Sequence, residues 1–190
     1  SYEIIQKAKE KFWELYYKLP RKYAFITNSY NIKEDDIKST RNCQTCFSTL
    51  RGVENCKFIF LGGLLLKDSY DVNFGGVTSE LLYEINGCEK SQRSFFSRGC
   101  NESNDIEYTD KAYNCSYLFG CTKLRNRKYC ILNKQYTKEE YEALIPKIKQ
   151  HMNDMPYIDK KGRVYKYGEF FPSEFSSWTY NETLAHKYFP

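Results

Sequence analysis

Leu61-Gly62-Gly63 and Phe74-Gly75-Gly76 stand thirteen residues apart, and Asn86-Gly87-Cys88 and Arg98-Gly99-Cys100 stand twelve apart. Working outward from these two pairs, residues 42–136 divide into units that begin at Asn42, Asn55, Asp68, Glu80, Gln92, Asp105, Leu118 and Cys130. The spacings are 13, 13, 12, 12, 13, 13 and 12. The eighth position of five consecutive units holds Gly62, Gly75, Gly87, Gly99 and Ala112. The second holds Cys43, Cys56, Ser69, Leu81, Arg93, Ile106, Phe119 and Ile131, and the fourth holds Phe58, Asp71, Tyr83, Phe95 and Tyr108.

A short strand followed by a tight turn fills 12–13 residues, and a glycine suits a turn with positive φ. One such unit has no partner for its apolar side, so successive units must stack, about 4.8 Å apart, with like positions forming ladders. An antiparallel meander also places turns every 8–12 residues. A meander reverses at each strand, however, and gives no reason for one column to carry glycine repeatedly. The expected fold is an all-β parallel solenoid (β-helix) of 12–13-residue repeats, with an aromatic ladder and a small-residue ladder inside. Gly75, Gly87 and Gly99 should share one turn, and Tyr83, Phe95 and Tyr108 one interior face. Whether one unit or two complete a coil stays open.

Helices should cap both ends. Ile5, Ala8, Phe12, Leu15, Tyr16 and Leu19 recur at helical spacing over 2–19, between Ser1 as a cap and Pro20 as a stop. Residues 20–41 read as irregular. Thr137 and Glu140 form a capping box for a helix over about 138–152, with the stripe Tyr141, Leu144, Ile145, Ile148 and Met152 and a proline, Pro146, inside it. Residues 153–180 read as an aromatic loop, and Asn181 can cap a last short helix. The organisation is therefore 1–41 helix and lead-in, 42–136 solenoid, and 137–190 helical cap and tail.

The chain has 190 residues, a net charge of +5, 41% hydrophobic and 17% aromatic residues, and a mean hydropathy of −0.70. The aromatic content argues against disorder. No apolar run approaches the roughly 18 residues of a membrane helix. The start lacks a basic region followed by an apolar one, so a cytoplasmic location is expected. The absent initiator Met reads as a processed or trimmed piece of a longer chain. The mild basicity permits nucleic acid as a partner without requiring it.

The segment from Leu118 through Arg125-Asn126-Arg127-Lys128-Tyr129-Cys130 to Tyr141 resembles an uncharacterised cysteine-rich repeat family from uncultivated bacteria with very small genomes. Lys67 to Val72, Thr78 to Glu84 and Gly168-Glu169-Phe170-Phe171-Pro172 share the likeness. Family members often carry zinc-ribbon CxxC motifs upstream of the repeat; here those ribbons are absent. The resemblance implies a domain boundary and no activity.

Eight cysteines without an export signal favour reduced thiols or metal ligands over disulfides. Cys43-x-x-Cys46 has the spacing of half a zinc site and no second CxxC, so packing in the ladders is the main reading and zinc the lesser one. His151 and His186 have no Cys or carboxylate at ligand spacing. Asp71 with Glu84, and Asp68 with Glu80, are carboxylate pairs that stacking would bring together, able to share a proton or hold a cation, or to act as a solvated face. The densest basic run holds Lys123, Arg125, Arg127, Lys128 and Lys134, interleaved with Tyr129, and suits phosphate contact with base stacking. No GxGxxG, P-loop, HExxH or GxSxG occurs. The expectation is a non-enzymatic binding or scaffolding module without a cofactor. It would present a solenoid face to a protein or nucleic-acid partner and not to a membrane. RNA or single-stranded DNA binding through 123–138 is the alternative, and a polysaccharide-active enzyme comes third.

Overall fold

The computed structural model describes residues 2–20, 26–32, 37–47 and 49–175. They form a parallel β-solenoid of about eight turns with a helix at each end, α1 (Tyr2–Lys18) and α2 (Lys138–Asp154). One unit makes one coil. Lys57 pairs with Tyr70 and Tyr70 with Tyr83, thirteen residues on; Leu82 pairs with Ser94, Ser94 with Ile106 and Ile106 with Leu118, twelve on. Among the described residues the ladders of the solenoid are parallel until Lys134–Gln135 turns back antiparallel on Lys128–Ile131.

Inside the coil runs a shorter period. Ser79, Leu82, Ile85, Cys88, Ser91, Ser94, Ser97, Cys100, Ser103 and Ile106 are buried at every third residue, with Thr109, Ala112, Cys115, Leu118 and Cys121 continuing the series. The residue before each inward one has positive φ, as at Leu81, Glu84, Gly87, Lys90, Arg93 and Phe96. Each triplet is thus one left-handed bend, one inward residue and one extended outward residue. Four triplets make a twelve-residue coil that bends four times. The left-handed conformation disfavours L-residues by about 1 kcal/mol each. It persists because every bend is held by backbone hydrogen bonds to neighbouring coils, such as Gly99 N–H to Asn86 O at 2.8 Å and Tyr108 N–H to Phe95 O at 3.2 Å.

This geometry corrects the expected register. The columns opened by Glu80, Gln92, Leu118 and Cys130 are opened instead by Leu81, Arg93, Tyr117 and Tyr129, while Asn42, Asn55, Asp68 and Asp105 keep their places. The thirteenth residue of the early coils sits at Gly62-Gly63 and Gly75-Gly76: inward Ile59 and Leu66, like Val72 and Ser79, are seven residues apart, whereas Ile85 and Ser91 are six apart. Gly87 and Gly99 do share a bend. Its equivalents in the flanking coils are Phe74 and Lys111, not Gly75.

The interior also differs from expectation. It is lined by Cys, Ser, Thr and medium aliphatic residues, and the rings lie outside. A bore shared by four inward side chains per coil takes small groups and leaves no room for phenyl rings. Tyr83 pairs with Phe95, but Phe95 pairs with Glu107, and Tyr108 belongs to the next column. Stacking begins earlier than Asn42. Ile26 pairs with Ile37 and Tyr30 with Arg41, so part of the stretch read as irregular is already ladder.

The Thr137 capping box forms as read, with Glu140 N–H donating to Thr137 Oγ1 at 3.2 Å and Thr137 N–H to Glu140 Oε2 at 2.9 Å. Pro146 lies inside α2 without ending it. Beyond α2, Tyr157–Ile158 and Val164–Tyr165 pair antiparallel around Asp159, which accepts from Lys161 N–H, Arg163 N–H and the Arg163 guanidinium. The helix expected from Asn181 and the histidine at 186 lie outside the described residues. Among the described residues no helix is long and apolar enough to cross a membrane.

Candidate binding surface

One outer corner of the coil carries a continuous run of rings. Phe58, Tyr70, Tyr83, Phe96, Tyr108 and Phe119 follow one another with centroids 5.2, 5.5, 5.4, 4.8 and 5.5 Å apart. These spacings fall in the range of favourable edge-to-face and offset ring contacts. Two adjacent columns, the last residue of one triplet and the bend of the next, supply the rings.

The C-terminal half of this corner is covered by the chain itself. Phe96, Tyr108, Phe119 and Ile131 are buried beneath Leu144, Ile145, Ile148 and Met152 of α2 and Tyr167, Phe170 and Phe171 of the tail. Lys149 Nζ donates to Glu107 Oε1 at 2.7 Å, Tyr167 OH donates to Glu107 Oε2 at 2.8 Å, and Gly168 N–H donates to Tyr108 OH at 2.9 Å. Burial lowers the Lys149 pKa, but its hydrogen bonds to Glu107 and Tyr167 outweigh this and the ammonium is favoured overall. Burial pushes the Tyr108 phenol up, so it stays protonated at neutral pH.

The N-terminal half is open. Phe58 is 39% exposed, Tyr70 41%, and Phe60, Leu61 and Phe74 on the adjoining corner are exposed as well. Where the open and covered halves meet, Asp71, Asn73, Glu84, Ile85, Asn86 and Phe170 line a cavity of about 260 Å³. Asp71 and Glu84 do oppose one another across adjacent coils, because Tyr70 pairs with Tyr83 and Val72 with Ile85. Glu84 Oε2 is buried without a hydrogen-bond partner. Burial first, then the Asp71 and Glu169 carboxylates, raise the Glu84 pKa. The second expected pair does not form: Glu80 stands opposite Lys67, a shift that follows from the corrected register. A larger cleft of about 490 Å³ is lined by Phe170 and Phe171 and walled by the Arg98–Asp110 ion pair.

The six residues of the basic run do not share a face. Lys123 and Arg125 line an open groove of about 340 Å³ with Lys111 and Tyr113, and the Arg125 guanidinium lies 5.3 Å from the Tyr113 ring centre. Arg127 donates to Gln135 at 3.3 Å, and Lys134 lies over Tyr136. Lys128 and Tyr129 belong to another corner, where Tyr129 stacks on Tyr117 at 4.9 Å and meets Tyr141 of α2 edge-on. A triplet bends the chain at every third residue, so consecutive basic residues are carried round the coil.

Cys43 and Cys46 both point inward, from successive triplets, and their thiols donate to Arg41 O and Gln44 O at 3.4 Å each. Cys43 shares a column with Cys56, and Cys88 with Cys100, whose N–H donates to Cys88 Sγ at 3.3 Å. All eight cysteines are buried and unbridged. Burial pushes Cys56 up to about 12, and the hydrogen bond to Cys43 together with burial raises Cys46. Among the described residues no three His, Cys, Asp or Glu side chains are grouped so as to hold a metal ion. Within the Cys88–Cys100 pair their mutual hydrogen bond lowers Cys88 and raises Cys100. What all eight thiols share is burial, and thiols held out of water are poor nucleophiles. The native protein should therefore react with an aromatic disulfide reagent on the order of a hundredfold slower than free cysteine, and all eight thiols should react promptly in denaturant. Fast native reaction of any cysteine would contradict its inward placement.

Neither family models, nor curated proteins, nor solved structures yield a match to this chain. The chemistry of the surface stands on its geometry alone. The aromatic corner itself escaped the sequence reading, which placed its rings inside. The signal for it was Ile145, Ile148 and Lys149 in α2 together with Phe170-Phe171, an amphipathic helix and an aromatic tail that needed an outer surface to cover.

Proposed function

We propose that this protein is a non-enzymatic binding module, and that the open N-terminal half of the aromatic corner is where it receives a macromolecular partner. One observation carries the reading: a single ladder of rings is covered by an amphipathic helix along one half and exposed along the other. Exposed contiguous aromatic surface on a soluble fold marks an interaction site, and the covered half suggests the kind of surface that fits it, an apolar helical stripe with a flanking lysine. A labelled basic amphipathic helical peptide should bind saturably to the full chain. Phe58→Ser combined with Phe74→Ser should weaken that binding by about tenfold or more, corresponding to about 1.4 kcal/mol. Binding unchanged in that variant would overturn the reading.

Nucleic acid is a second reading, favoured by the groove in which Lys111, Lys123 and Arg125 converge on Tyr113. Retention of RNA or single-stranded DNA on a filter should then fall steeply as salt rises from about 50 to 200 mM. Arg125→Ala with Lys123→Ala should flatten that slope. No retention at about 10 μM protein in about 50 mM salt removes this reading.

A further inference from the structure

α2 shows what this ladder accepts. Leu144, Ile145, Ile148 and Met152 seat on the covered rings, and Lys149, directly after Ile148, reaches the carboxylate of Glu107. α1 repeats that spacing. Ile4 and Ile5 correspond to Leu144 and Ile145, Ala8 to Ile148, Lys9 to Lys149 and Phe12 to Met152. In both helices the lysine lies four residues after one apolar position and three before the next, on the same flank of the stripe. Leu15 prolongs the stripe of α1. Its apolar side is exposed to solvent, Phe12 by 56% and Leu15 by 58%.

The open half of the ladder has the complementary features. Phe58 and Tyr70 offer the rings, with Phe60 and Phe74 beside them. Asp71 and Glu84 follow Phe58 in the bend column and offer carboxylates one column away from the one that carries Glu107 in the covered half. A 17-residue helix is about 25 Å long, more than three coils occupy at about 4.8 Å each.

We propose that α1 of a second copy of this chain docks across the open ladder, its apolar stripe on Phe58, Tyr70 and Phe74 and its Lys9 at Asp71 and Glu84. Each copy donates one helix and receives one. Where the exchange is mutual, each copy receiving the helix of the copy that receives its own, the contact is isologous and closes as a two-fold dimer. This inference rests on the reading of the open corner as a binding surface.

Sedimentation equilibrium of the full chain tests it. The wild type should sediment with the mass of two chains at about 100 μM, and Phe12→Glu or Phe74→Glu should reduce it to one. Lys9→Glu and Asp71→Lys should each weaken association about tenfold, and the two together should restore it. All four positions are exposed, so unchanged circular dichroism is expected in each variant. A wild type that stays monomeric overturns the proposal, and so does a dimer that survives Phe12→Glu. A monomer in which Phe74→Glu alters hydrogen exchange of α1 also overturns it, by showing that α1 folds back on its own ladder. If a monomeric chain still binds the basic amphipathic peptide, only the second-copy proposal falls; if it binds none, the binding-surface reading falls with it.

Discussion

Gly63→Ala is expected to lower the unfolding free energy by about 3 kcal/mol. A Cβ placed on Gly63 would lie 2.5 Å from both the carbonyl carbon and oxygen of Gly76 and 2.7 Å from Gly75 O. These are backbone atoms of the next coil and have no rotamer by which to withdraw. That coil is itself held from the far side, Gly76 N–H donating to Cys88 O at 2.7 Å. The clash must therefore be absorbed by opening the ladder where the thirteenth residue is accommodated. Gly87→Ala makes the contrast. Its Cβ would meet nothing closer than Phe74 O at 3.7 Å, and only the left-handed backbone opposes it, at about 1 kcal/mol. Phe74 and Lys111 occupy the same bend in neighbouring coils with φ of 51° and 61°. Urea titration of the two variants should separate them in midpoint at a common slope. Equal losses would show that the glycine doublets are not where the coils approach most closely.

The same contrast explains how much was legible in the sequence. The glycine doublets betrayed the coil length, and the Cys43/Cys56 and Cys88/Cys100 columns betrayed the stacking. Aligning Gly75 with Gly87, however, treated glycine as the mark of a single bend. In this coil the left-handed bends are taken equally by Phe96, Tyr108 and Lys90, so glycine identity does not fix register. The three-residue inner period was hidden for a different reason. Its inward residues include Ser91, Ser94, Ser97, Ser103 and Thr109, fully buried yet polar. Their hydroxyls are satisfied locally: Ser97 Oγ donates to Phe95 O at 2.7 Å and accepts from Thr109 N–H at 3.1 Å. Hydrophobicity alone therefore marks only part of the inward set. The large rings, which hydrophobicity does mark, lie outside because the bore is too narrow for them.

That misplacement also hid the candidate surface. An aromatic residue read as core cannot be read as a docking ladder, and the two helices then appear only as end caps. The stripe of α2 was visible together with its capping box, but the surface it covers is formed by Phe96, Tyr108, Phe119 and Ile131 of four successive coils. Such pairings are set by the coil geometry and not by local pattern. The basic run erred in the opposite sense. Its residues are adjacent in sequence, and a chain that bends every third residue carries them round three corners.

Leu118→Ala tests whether the stack behaves as a one-dimensional array. Leu118 is fully buried and stands in register between Ile106 and Cys130. Truncation should cost about 3 kcal/mol, within the range for leucine in a core that relaxes little. Relaxation is restricted here because the strand Ser116–Phe119 is paired on both sides, to Asn104–Glu107 and to Lys128–Ile131. The coils cannot close over the cavity without breaking those ladders. In a stack each coil contacts only its neighbours, so the loss should be felt locally. Lys128–Ile131 is the last parallel strand and a contact of α2, so the helical cover should loosen with it. Hydrogen exchange should accelerate over residues 104–154 and stay near wild type over 57–86. Cys115, Cys121 and Cys130 should gain reactivity toward a thiol reagent, while Cys43, Cys46 and Cys56 should not. Uniform acceleration along the whole chain would show instead that the solenoid unfolds as one cooperative block. In that case the open N-terminal ladder and its helical cover on the C-terminal half would share one stability, and occupying the first should protect the second.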